Sequence, residues 1–328
     1  MLIAVTGSIA TDHLMTFTGR FSEQLLPDSL EKVSLSFLVE DLQIRRGGIG
    51  ANIAFGMGSL GLSPALVGAV GDDFAPYRSW LERHGVDTAS VLVSDLLHTA
   101  RFVCTTDADQ NQIASFYSGA MSEARQIELK PVADRLGGID LVVVGPNDPD
   151  AMLRHSDECR SRGYPFAADP SQQLARMDGE QIRLLIGGAA YLFTNEYEAA
   201  LTEAKAGWTS AEILDRVGVR VTTLGPAGAR VERAGAPPIS VACPQELQKA
   251  DPTGVGDGFR AGFLSAVAWG LGLERAAQVG SMLATYIIET VGTQEYELSR
   301  ADFLRRLEVA YGATASTEVA LHLRCPRP

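Results

Sequence analysis

Three glycines crowd one carboxylate in the run Asp251-Pro252-Thr253-Gly254-Val255-Gly256-Asp257-Gly258-Phe259. An apolar-periodic segment follows at once: Phe259, Phe263 and Val267 recur every four residues, with Leu264 and Leu271 beside them. That spacing predicts an amphipathic helix whose first turn holds the glycines. First-turn N–H groups have no intrahelical partner and carry the positive end of the helix dipole. Glycine lets an anion approach such a backbone closely, so the segment suits phosphate. Asp257 is an odd charge to find there unless it faces an attacking hydroxyl. The plainer reading of the same residues is an acidic helix start after a glycine-rich turn.

Other residues of the right chemistry are scattered along the chain. An apolar run at 2–6 predicts a buried strand, and Ser8 and Asp12 follow its C-terminal end. Ligands of parallel sheets bind at that end, so both are candidate substrate contacts, although a cap and a turn would use the same residues. Gly47-Gly48 opens a predicted helix, and Asn52 extends from its first turn toward the same place. Asn195 and Glu198 lie three apart at another helix start, where they can face one point or form a capping box. Gln172 and Gln173 follow a strand end, and their amides match the donor–acceptor edge of a purine. Arg176, one turn on, can reach a phosphate or the same pocket. None of the four lysines follows a glycine, so a Walker-A loop is absent.

The elements that must position these groups alternate. Strands are predicted at 140–145, 165–169, 190–194 and 219–224, with helices at 148–162, 181–187 and 196–206 between them. This is the pattern of a doubly wound, mostly parallel α/β sheet. Residues 229–233 and 239–242 suit a short antiparallel edge, and helices are expected from 254, from 273 and over 300–311. A strand is expected over 65–70, and the tail after Gly312 reads as loose. Phe37-Leu38-Val39, Leu42-Gln43-Ile44, 99–106 and 112–117 read as strands that do not belong to this alternation. Gly56-Met57-Gly58-Ser59-Leu60-Gly61 matches GxGxxG, but it ends a helix and precedes a strand, so it is no dinucleotide fingerprint.

Composition narrows the class. Of 328 residues, 46% are hydrophobic and 21% charged, as expected of a globular chain, and a single α/β domain over 1–328 is within reach. The net charge of −12 argues against a nucleic-acid partner. Neither a signal peptide nor a long apolar run stands out, so a cytoplasmic protein without a membrane partner is expected. The four cysteines are widely spaced, which argues against a zinc site and a disulfide framework.

The Asp251–Asp257 run resembles the second signature of the ribokinase-like (PfkB) carbohydrate and nucleoside kinases. Arg46-Gly47-Gly48-Ile49-Gly50-Ala51-Asn52-Ile53-Ala54 is similar to that family's N-terminal signature. Thr194-Asn195-Glu196-Tyr197-Glu198 is similar to its Asn-x-x-Glu motif, and residues 221–228 to its nucleotide-binding strand and turn. Ser34 to Val39 and 168–176 resemble, more narrowly, the adenosine kinases of mycobacteria. The resemblance implies a ribokinase-like fold with a small β-sheet lid built from insertions at about 13–46 and 98–118. It implies ATP-dependent phosphorylation of the adenosine 5′-hydroxyl to AMP, in purine salvage. Asp12 would grip the ribose hydroxyls, with Ser8, Ser36, Gly48 and Asn52 as further contacts. Phe102, Phe116 and Tyr117 would face the base, Gln172 and Gln173 would meet its edge, and Arg176 would reach a phosphate or the same pocket. Asn195 and Glu198 would place Mg²⁺ through water. Thr223, Gly225 and Gly228 would hold ATP, and a homodimer would form through the lids.

For such a transfer, Asp257 would accept the hydroxyl proton and the amides of Gly254, Gly256 and Asp257 would cradle the phosphoryl group. A helix-start carboxylate is expected to have a low pKa. Pro252 and Val255 depart from the family's usual Thr and Ala, which leaves a K⁺ site near Asp251 as an open alternative. A sugar kinase of the same family, or a silent nucleoside-binding protein, are the competing readings.

Overall fold

The computed structural model describes residues 1–25, 31 and 35–325. The chain starts in β1 (Ile3–Thr6), leaves it for β2 (Ala10–Thr16) and β3 (Asp41–Gly47), and returns through the helix Ile49–Ser59 to β4 (Ala65–Val67). The short β5 (Ala69–Val70) and β6 (Leu92–Val93) pair with each other, and β7 (Ala100–Thr106) and β8 (Gln112–Tyr117) form a hairpin. Strand–helix alternation then builds β9 (Leu141–Val144), β10 (Phe166–Ala168), β11 (Tyr191–Asn195) and β12 (Val219–Thr223). The antiparallel β13 (Ala229–Glu232) and β14 (Ile239–Val241) close the edge.

The main sheet runs β14-β13-β12-β11-β10-β9-β1-β4, parallel from β12 to β4. Both faces of these strands are buried, which is why they read as apolar runs rather than alternating ones. Val143, Ala167, Phe193 and Val221 point to one core with Phe263, Leu283 and Phe303. Val142, Val144, Phe166, Ala168 and Leu192 point to the other, with Ile182 and Leu185. The first core is completed by the helices Val255–Ala268 and Leu273–Ile288.

A second sheet, β3-β2-β7-β8, stands over the C-terminal end of the first. Its register aligns Asp12 with Arg45 on one side and Phe102 on the other, and Phe102 with Phe116. Residues directly opposite in a sheet share a face, so this row brings a carboxylate beside two aromatic rings. Asp12 thus belongs to a strand of this second sheet, Ala10–Thr16, rather than to a loop.

Several expectations fail locally. Phe37-Leu38-Val39 is irregular, because Phe37 packs on Phe17 and Phe21, with ring centroids 5.0 Å apart in each pair. The strand expected over 65–70 breaks at Gly68, where a Cβ would stand 2.8 Å from the Gly7 carbonyl oxygen. The tail is ordered: the helix Ala313–Ala320 buries Ala315 and Val319 in the first core. Ser34 and residues 326–328 lie outside the described residues.

Candidate active site

A cavity of about 520 Å³ opens between the two sheets. Ser8, Asp12, Gly48, Asn52, Phe102, Phe116, Gln172, Gln173, Arg176, Gly254 and Asp257 all line it. These residues come from six separate parts of the chain. Ser36 does not join them; it lies exposed in the irregular segment before β3. Met121, Pro146, Thr253 and Thr293 line the cavity without having been expected there.

The backbone dictates the glycines. Gly48 precedes the helix Ile49–Ser59 at φ +92°, and a Cβ there would lie 2.6 Å from Ala10 N and from Ser8 O. Only glycine lets this chain segment pass over the end of β1. Ser8 Oγ accepts from Ile49 N at 3.0 Å, so its capping role is real, and its own proton is left for a ligand. Gly254 holds the left-handed region (φ +78°) at the N-terminus of the helix Val255–Ala268. The Val255 and Gly258 amides bond to Pro252 and Gly254 carbonyls, while those of Gly256 and Asp257 have no acceptor among the described residues. Asp251 braces the turn, accepting from Thr253 N at 2.9 Å and Gly292 N at 3.1 Å.

Asp257 is buried at 8% exposure. Burial pushes its carboxyl up to about 7; the hydrogen bond from Asn52 and the Arg260 charge pull down, and Asp169 and Glu198 push up. The low value expected of a helix-start carboxylate is therefore wrong. Desolvation outweighs the helix dipole once the first turn lies inside the protein. Asp12 is also raised, to about 6, by burial first, with Arg45 opposing. A base must be ionised to accept a proton, and Asp12 must be ionised to accept two hydroxyls. The pH profile of kcat/KM is expected to fall below about 7 with a slope of about one, steepening toward two below about 6. A profile flat down to pH 5 in a discontinuous assay would remove both carboxylates from these roles.

The remaining candidates sit on the neighbouring strand ends. Asn195 and Thr223 are register partners at the ends of β11 and β12. The capping box forms: Asn195 Oδ1 accepts from Glu198 N and Glu198 Oε2 from Asn195 N, each at 2.8 Å. That leaves Glu198 Oε1 for a hydrated divalent ion, which suits water-mediated holding rather than a closed metal site. Gly225 and Gly228 shape the turn after β12. At Gly228 a Cβ would meet the Val241 carbonyl oxygen at 1.9 Å, so that glycine is required by the hairpin whatever it binds.

The base end is incompletely satisfied. Gln172 Oε1 accepts from Ser171 Oγ at 2.8 Å. Gln173 is buried, and its Oε1 has no hydrogen-bond partner among the described residues. Ser171 itself adopts φ +45°, a strained backbone for a non-glycine residue at the turn that aims the Gln pair.

Two groups were missed. Arg260 pairs with Asp169, Nε to Oδ2 at 2.5 Å and Nη2 to Oδ1 at 2.7 Å, and approaches Glu198 at 3.9 Å. A signal existed: Arg260 interrupts the apolar run between Phe259 and Phe263. Gln294 is fully buried and touches Asn52, and nothing local in the sequence points to it.

A family model described as pfkB family carbohydrate kinase matches residues 6–300. The nucleoside kinase of Methanothermobacter thermautotrophicus is 32% identical over 289 residues, 87% of this chain and 92% of that one. The ribokinase of Bacillus subtilis is 25% identical over 298 residues, 89% of this chain and 94% of that one. The structure of Burkholderia thailandensis nucleoside kinase in complex with inosine superposes with a TM-score of 0.81 at 34% identity, covering 95% and 98% of the two chains. Among the described residues, no helix is long and apolar enough to cross a membrane.

Proposed function

Because the chain belongs to the pfkB family of carbohydrate kinases, we propose that it transfers the γ-phosphoryl group of Mg·ATP to the 5′-hydroxyl of a purine nucleoside, adenosine foremost. The observation that carries this reading is the convergence of Asp257, Asp12, the Phe102–Phe116 pair and Gln173 on one cavity. Asp12 accepts the ribose hydroxyls, which aims the 5′-oxygen at Asp257. The O–H bond breaks as the new P–O bond forms, and the proton passes to Asp257. The bond to the β-phosphate oxygen breaks, and ADP leaves. The amides of Gly256 and Asp257 and the helix dipole meet the charge on the phosphoryl group. Mg²⁺ bound with ATP would neutralise the phosphates, with Glu198, and Asn195 beside it, holding it through water.

Thr223, Gly225 and Gly228 would support the ATP at the ends of the adjacent strands, and Asp251 with its braced turn is where a K⁺ ion would act. Phe102 and Phe116 flank a flat base, and Gln173 Oε1, without a partner among the described residues, supplies an acceptor for its N–H edge. An amide can serve the 6-amino purine or, turned over, the 6-oxo one. Leu42, Ile44 and Ile113 are exposed on the lid strands, which supports pairing with a second copy there. A cytoplasmic location fits the nucleotide substrates.

An ADP-release assay with adenosine, inosine, guanosine, ribose and fructose tests the reading. Adenosine should exceed the free sugars in kcat/KM by orders of magnitude. Gln173→Leu should cut adenosine kcat/KM by about 10–100-fold and leave ribose unchanged, because it removes only a base contact. Ribose turned over in preference would favour the sugar-kinase alternative, which the Bacillus ribokinase similarity keeps in view. Adenosine binding without turnover would favour a silent binding protein.

A further inference from the structure

Gln294 lies outside the cavity and outside every motif, yet its side-chain amide is fully engaged. Its Oε1 accepts from Trp80 Nε1 at 3.2 Å. Its Nε2 donates to Tyr77 Oη at 2.6 Å and to Asn52 Oδ1 at 2.9 Å. Tyr77 Oη donates onward to the Gly47 carbonyl at 2.9 Å. Asn52 Nδ2 donates to Asp257 Oδ2 at 2.8 Å. Thr293 Oγ1 stands 3.0 Å from Asn52 Oδ1, but its single proton is shared with the Arg46 carbonyl at the same distance.

The direction of this chain follows from its first atom. An indole N–H can only donate. Gln294 must therefore turn Oε1 to Trp80, which puts Nε2 toward Tyr77 and Asn52. Asn52 must meet that donor with Oδ1, which leaves Nδ2 for Asp257. Were Asn52 turned over, Oδ1 would face a carboxylate and Nδ2 would face another N–H. Trp80 is itself immobilised, stacked on Phe55 at 5.9 Å with the Arg46 guanidinium 4.1 Å over its ring. Buried polar networks of this kind are costly to leave half-satisfied, so the orientation propagates.

We propose that Gln294 is a positioning residue for phosphoryl transfer: it carries the donor polarity of Trp80 through Asn52 to Asp257, so that Oδ2 is always met by an N–H and Oδ1 is left for the attacking hydroxyl. The inference rests on the reading of Asp257 as proton acceptor. It also explains how a buried carboxylate stays usable. The charged groups that face Asp257 are Arg260 on its own helix, Asp169 after β10 and Glu198 after β11. Arg260 is already bound to Asp169. Asn52 is the neutral donor that acts on Asp257 directly, and its orientation is what Gln294 sets.

The test compares Gln294→Glu and Gln294→Met in the full chain by kcat, KM, Tm and the titration of the Asp257 carboxyl carbon. That resonance is read in ¹³C-Asp-labelled protein and assigned by its loss in Asp257→Asn. Gln294→Glu keeps the volume and the acceptor for Trp80 but has no N–H for Asn52. It should lower kcat by about 10–100-fold with KM nearly unchanged, and raise the Asp257 midpoint by about one pH unit. Gln294→Met, which adds no charge, should raise the midpoint in the same direction. A rise confined to Gln294→Glu would be the new charge alone and would overturn the proposal. So would a loss of Tm in both variants with the midpoint and the kcat-to-KM pattern of wild type. Should neither variant fold, Trp80→Phe removes the orienting donor, and an unchanged midpoint there would refute the link. The titration needs no turnover, so a wild-type protein inactive on every nucleoside would overturn the kinase reading and be seen separately.

Discussion

Replacing Asp257 by Asn lowers kcat by about 10²–10⁴-fold while KM stays within a few-fold of wild type. Asn has the same shape and can still meet the Asn52 amide, but it cannot take a proton. A transition-state role therefore appears in kcat, whereas a role in holding substrate would appear in KM. Equal losses in both would sink the base assignment. The same variant gives an independent sign. The folded carboxyl titrates at about 7 against an ordinary 3.8, because burial disfavours its charge. The native state then binds this proton more tightly than the unfolded chain between those values. Its contribution to stability is full at low pH and falls as pH rises through that window. At pH 8 the ionised Asp257 works against folding, so Asp257→Asn should raise Tm there and lose that advantage near pH 4. An enzyme that is slower yet more stable at pH 8 is the signature of a group retained for chemistry at a cost in stability.

Arg260→Met should destabilise the fold by about 3–5 kcal/mol, because it strands Asp169, which is fully buried, without its partner. Arg260 is itself only 6% exposed. Its Nε and Nη2 run to the two Asp169 oxygens, and its guanidinium lies 5.9 Å from the Phe193 ring. Urea unfolding measures the loss. Adding Asp169→Leu should recover most of it, since removing both charges leaves no uncompensated ion. A double variant as unstable as Arg260→Met would mean that packing, not charge pairing, holds this region. The pair joins the helix Val255–Ala268 to the loop that aims Gln173. Its loss should therefore also weaken nucleoside binding, readable as a raised KM.

The order of strands and helices from residue 140 onward was legible because each segment buries apolar residues on both faces of a parallel sheet. Runs such as Val142-Val143-Val144 carry that condition locally. The Gly254–Asp257 helix start was legible for a similar reason: glycines and a carboxylate at fixed offsets from an apolar period describe one turn of backbone. Even Ser8, Gly48 and Asn52 could be placed, since each flanks the end of a predicted element.

Other features depended on contacts that no window of sequence contains. The second sheet takes up the chain at Ala10 because β2 pairs with β3 and β7, far along the chain. The Asp257 pKa reversed direction because two sheets and a helix pair exclude water from its turn, and burial is a property of the assembled molecule. Gln294 was invisible because its function lies in partners at Trp80, Tyr77 and Asn52, each more than two hundred residues away. The sequence alone determined which backbone turns and which chemical groups exist, since those depend on neighbours a few residues apart. Only the tertiary structure decided which groups are buried, what donates to what and hence which carboxylate can act, because solvent exclusion and hydrogen-bond direction arise when distant segments meet.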